Sequence, residues 1–118
     1  MAAINIARLL TLNGKLGVAN VTTGYTDLLV NSSNSNTLLK INTLSLCNYS
    51  ASTANVSVDV YRSNVGYRLA SAISVPVNSS LIAITKDSMI YLEEGDSLRV
   101  WSGANNAIQA VISYDYIA

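Results

Sequence analysis

Apolar and polar residues alternate along much of this chain with a period of two. In "NVSVDVYR", residues 55–62, Val56, Val58 and Val60 alternate with Ser57, Asp59 and Tyr61. This spacing predicts a half-buried strand with the valines facing the core and the polar set facing water. "DSLRVW" sets Leu98 and Val100 against Arg99 and Trp101, and "AIQAVISYDYI" sets Ile108, Ala110, Ile112, Tyr114 and Tyr116 against their neighbours. "AISVPV" places Ile73, Val75 and Val77 on one face, with Pro76 marking an edge or a strand end because it has no N–H to donate. "SLIAITK", "YTDLLV" and "TLLKINTLSLCN" are further strands. Polar, turn-prone runs separate them: "NSSNSN", "NYSASTAN", "RSNVGYR", "PVNSS", "TKDS", "EEGDS" and "SGANN".

Strands at this spacing point to one all-β domain, a sandwich or barrel; the fold expected is a jelly-roll-like antiparallel sandwich, or a related one, of about eight strands. Residues 1–13 read as an N-terminal arm or first strand and residues 14–118 as the sandwich. Helix is poorly supported, because the Ile4/Ile6 alternation in "AAINIARLLTL" suits an extended arm equally well.

Composition narrows the function. The 118 residues include seven basic and seven acidic side chains, for a net charge of zero, and half of the chain is apolar. No basic stripe exists to attract nucleic acid or an anionic membrane. No apolar run reaches the length of a bilayer span, and no signal peptide is read. Low charge with a mean hydropathy of +0.33 leaves little repulsion between copies, which favours an assembly over free solution. The absence of histidine and the single cysteine, Cys47, leave no metal cluster and no base beside a thiol. Cys47 reads as a small buried hydrophobe. No catalytic residue, metal or cofactor site is expected.

The densest charge lies in "YLEEGDSLRVW". Adjacent Glu93 and Glu94 would point to opposite faces of a strand, which rules out a shared proton there. A turn accounts for them better, with Gly95 supplying a positive φ and Asp96 bonding the backbone two residues on; a surface calcium site is the alternative. On this reading both glutamates are exposed and can be neutralised at little cost, whereas Gly95→Val is harmful. Tyr61, Arg62, Tyr67 and Arg68 cluster around "YRSNVGYR". They read as the exposed ends of a hairpin or as an interface patch, since Tyr and Arg are favoured interface anchors. Tyr49, Tyr91, Tyr114, Tyr116 and Trp101 are candidates for a sugar-stacking platform or, more simply, for core and rim packing.

The opening "MAAINIARLLTLNGKLG", the middle "LKINTLSLCNYSASTANVSVDVYRS" and the close "VPVNSSLIAITKDSMIYLEEGDSLRVWSGANNAIQAVISYDYI" together resemble small virion structural proteins of tailed bacteriophages, particularly marine cyanophages. The resemblance covers most of the chain and carries over no functional residues. It implies a non-enzymatic part of the particle, first of all a capsid decoration (cement) protein bound to the major capsid protein. Its implied place is the virion, after synthesis in the host cytoplasm, as a homo-oligomer with a trimer favoured. A neck, tail or fibre component and a carbohydrate-binding sandwich are the alternatives. The interface residues expected are Ile4, Ile6 and Arg8 in the arm and Tyr61, Arg62, Tyr67 and Arg68 at the hairpin.

Overall fold

The alternating segments form strands. The computed structural model describes residues 11–118, so Ile4, Ile6 and Arg8 lie outside the described residues. Among the described residues the strands are β1 (Leu12–Val21), β2 (Thr26–Val30), β3 (Leu38–Asn48), β4 (Ala54–Arg62), β5 (Val65–Val75), β6 (Ser80–Ile84), β7 (Ile90–Leu92), β8 (Ser97–Ser102) and β9 (Ile108–Ile117). Leu12 and Asn13, the end of the segment read above as an arm or first strand, belong to β1.

Two antiparallel sheets result. Sheet I runs β1-β9-β3-β6, with β7 also paired to β3; sheet II runs β2-β8-β4-β5. β7 lies against Leu39–Ile41 and β6 against Leu44–Cys47, on the side of β3 away from β9. With β6 and β7 counted as one interrupted strand, first pairs with last, second with next-to-last, third with sixth and fourth with fifth. This is a long hairpin rolled on itself, the jelly-roll order.

The core lies between the sheets. Ile41, Leu44, Leu46, Leu92, Ile108 and Ile112 from sheet I meet Val56, Val58, Leu98 and Val100 from sheet II, all inaccessible to water. β3 changes face midway: Leu39 and Ile41 point inward, then Leu44 and Leu46 do. The pairing with β9 shifts between Ile41 and Thr43, and one extra residue in a strand moves the following side chains to the other face. Pro76 does end β5. Val75 is buried, whereas Ile73 and Val77 are exposed. Ile73 sits opposite Val56, and β5 is an edge strand with little to cover it.

The polar turns are built around two buried asparagines. Asn48 donates through Nδ2 to the carbonyls of Ser52 and Val75, both at 2.8 Å, and accepts from the Ser50 N–H and hydroxyl. Asn31 donates to the carbonyls of Thr37 and Leu92 and accepts from the hydroxyls of Ser35 and Thr37. Each amide therefore meets its full bonding capacity away from water, as burial requires.

One expectation about β4 fails. Ser57 and Asp59 do not face water; both are buried. The Ser57 Oγ accepts the Ala72 N–H at 2.8 Å, where β5 carries a positive φ at Ala72. Ser57→Asp, harmless on the alternation alone, is expected to be damaging.

Candidate interaction surface

The outer face of sheet II carries a connected set of side chains. Asp59 on β4 and Arg99 on β8 are register partners. Arg99 donates to Asp59 from Nε at 2.9 Å and from Nη2 at 2.6 Å, a two-pronged pair. The guanidinium lies between two rings, its Cζ 4.0 Å from the centre of Tyr25 and 4.1 Å from that of Tyr61. Tyr25 meets Trp101 edge to face at 4.7 Å, and the Arg68 guanidinium covers the Trp101 ring at 4.8 Å. The hydrogen bond to Asp59 outweighs the effect of burial and raises the Arg99 pKa further above its ordinary value. Gly66 makes room for the pair, since a Cβ there would collide with the Asp59 carboxylate and come 2.8 Å from Arg99 Nη2.

A second cluster joins the β4–β5 hairpin to the acidic turn. The hairpin turns through Ser63 and Asn64, both at positive φ, the tight two-residue form that suits strand twist. Arg62 at its base grips Asp96 through Nε at 2.7 Å and Nη2 at 2.6 Å, and reaches Glu93 at 2.8 Å. Asp96 also accepts the Glu93 N–H. Gly95 has φ 89°, and the Asp96 N–H returns to the Glu93 carbonyl, which closes the turn as read from the sequence. The rest of that reading needs correction. Asp96 bonds back to Glu93 rather than forward, and Asp96 and Glu94 are buried. Among the described residues Glu94 Oε1 is the one buried side-chain oxygen or nitrogen without a hydrogen-bond partner.

Burial pushes the Asp96 carboxyl up. The Arg62 hydrogen bonds, the Glu93 N–H and the Arg62 charge together outweigh that and hold it below the usual carboxylate range. A depressed folded pKa means stability that is present above the unfolded value, about 3.9, and lost as pH falls through the folded value. Asp96→Asn is therefore expected to cost about 2 kcal/mol at neutral pH, and Glu93→Gln, on the exposed limb, less than about 0.5 kcal/mol. In urea melts the gap between wild type and Asp96→Asn should close as the pH is taken below the carboxylate range. A gap that persists in acid would contradict this assignment.

The expected interface residues thus separate. Arg62 ties the hairpin to the acidic turn, Tyr61 and Arg68 belong to the sheet II cluster, and Tyr67 is exposed. Arg99, Asp59 and Tyr25 were missed, because their partners lie on other strands. The aromatic residues do not make one stacking platform: Tyr114 and Tyr116 pack on the core, and Arg68 already covers Trp101.

The outer face of sheet I is different in kind. Val18, Val111, Ser45 and Ile82 form one row across β1, β9, β3 and β6. Val18, Val111 and Ile82 are exposed. The next row is Asn20, Gln109, Cys47 and Ser80, with Cys47 half-buried on this outer face rather than in the core as expected, and neither row holds a charge. No group of three or more potential metal ligands is found among the described residues.

The all-β, two-sheet fold is shared by solved structures. One similar chain belongs to Bacillus endospore appendages, described as a family of disulfide-linked pili; it aligns at a TM-score of 0.52 and 11 % identity over 99 % of this chain and 95 % of its own. No family model matches the sequence, and a search of curated proteins returns no match.

Proposed function

We propose that this chain is a non-enzymatic structural protein of a phage particle, a capsid decoration protein that binds the major capsid protein and bridges capsomers. The observation that carries the reading is the outer face of sheet I, where two adjacent four-strand rows hold no charge and Val18, Val111 and Ile82 stand exposed among small and amide side chains. Such a face suits adhesion to a large uncharged surface better than it suits chemistry. The two arginine clusters support this, since Arg62 and Arg99 are engaged with carboxylates of their own chain. The similar chain from disulfide-linked pili also belongs to an assembly. Linking copies into a chain through disulfides needs two cysteines per copy, and these 118 residues hold one, so that mode of linkage is not carried over. The choice of a phage particle follows the sequence resemblance to phage virion proteins.

The test uses undecorated capsids. Full-length protein is expected to pellet with them. A Val18→Glu/Val111→Glu variant, folded by circular dichroism, is expected to stay in the supernatant. Wild-type protein that fails to pellet, or binding untouched by both charges, would contradict the proposal.

A further inference from the structure

A strand at the edge of a sheet offers unpaired N–H and C=O groups to any strand that fits, so proteins usually blunt their edges. Three of the four edges here are blunted. β2 is five residues long, and its pairing with β8 slips between Asp27 and Leu29. β5 slips twice against β4 and is bent at Ala72. The edge formed by β6 and β7 is interrupted by the short helical turn Lys86–Ser88.

β1 has none of these devices. It pairs with β9 without a slip from Leu12↔Ile117 to Val21↔Ile108. It contains no proline, and its single charge, Lys15, sits over the Tyr116 ring. Among the described residues nothing pairs with its free side. Its side chains are equally bare: Leu12, Leu16 and Val18 are 64, 69 and 72 % exposed, the highest values among the large apolar residues described. All three lie on the outer face of sheet I.

The free hydrogen-bonding groups can be assigned. Thr11 and Ala118 exchange both backbone bonds, each 2.9 Å. In an unbroken antiparallel ladder the odd-numbered residues of β1 then direct their groups at β9. The even-numbered ones, Leu12, Gly14, Leu16, Val18 and Asn20, direct theirs outward.

We propose that β1 pairs antiparallel with β1 of a second copy about a two-fold axis, joining two copies of sheet I into one continuous sheet. The partner follows from the edges themselves. A long, straight ladder needs a long, straight strand, and of the four edges only β1 supplies one, so two copies meet through the same element. The axis falls at Gly17. Leu16 then faces Val18 of the partner subunit and Gly14 faces Asn20 of the partner subunit, so that outward-pointing groups meet outward-pointing groups. Lys15 lies opposite Ala19 of the partner subunit, which keeps the two lysines apart. This pairing stands independently of the virion reading, since a dimer in solution needs no particle.

Sedimentation of the full chain and amide hydrogen exchange test it. Wild-type protein is expected to form a dimer, and Leu16→Lys/Val18→Lys, at exposed positions, should raise its dissociation constant more than tenfold with the fold intact. The amides of Leu16, Val18 and Asn20 should become protected as concentration rises, while those of Gly17 and Ala19 stay protected throughout. The exchange result needs no variant. A monomer at all concentrations, a trimer, or an oligomer whose even-numbered β1 amides exchange freely would overturn the proposal. So would an oligomer lost on removing residues 2–10 but indifferent to both lysines.

Discussion

Val58→Asp is expected not to fold. Val58 lies at the centre of β4, inaccessible to water, paired with Val100 on one side and Ala70 on the other. A carboxylate there has neither solvent nor counter-ion, and burying it without a partner costs several kcal/mol, comparable to the whole stability of a domain this size. The variant should show no cooperative thermal transition and should go to inclusion bodies on expression. A soluble variant melting within a few degrees of wild type would place Val58 outside the core and undo the sandwich.

One residue further on, the requirement reverses. Asp59→Ala is expected to cost about 3 kcal/mol, toward the low end for breaking a buried ion pair because Arg99 keeps some contact with water. The loss comes from the guanidinium left between Tyr25 and Tyr61 without its carboxylate. Removing both partners removes that penalty, so Asp59→Ala/Arg99→Met should be more stable than Asp59→Ala alone. Denaturant melts of the two single variants and the double variant measure this directly. Additive costs would mean that the pair contributes nothing as a pair.

These neighbours also show what the sequence made legible. Alternation identified the core side of β4, β8 and β9, because an inward face must be apolar wherever it meets the opposite sheet. It erred on the outward side, where it equated polar with wet. Ser57 and Asp59 are polar and buried: Ser57 accepts the Ala72 N–H from β5, and Asp59 is met by Arg99 from a strand 40 residues away, whose guanidinium lies between the rings of Tyr25 and Tyr61. The acidic turn divides the same way. Gly95 announced its positive φ through local chemistry, but nothing near Asp96 in sequence pointed to Arg62. The switch of face in β3 between Ile41 and Leu44 was visible only as a break in the alternation, and its meaning as a bulge came from the pairing with β9. The Gly95 turn and the inward faces of β4, β8 and β9 were therefore readable, whereas the face of the edge strand β5, with Ile73 exposed, and contacts between strands distant in sequence were not. The unprotected edge of β1 was hidden for the same reason, because an edge is a property of the assembled sheet.

The proposed role rests most directly on abundance. The decisive measurement is the copy number of this chain in purified phage particles, by quantitative mass spectrometry against the major capsid protein. A decoration protein should be present in amounts comparable to the capsomers, and a few copies per particle, or none, would contradict the assignment to the shell.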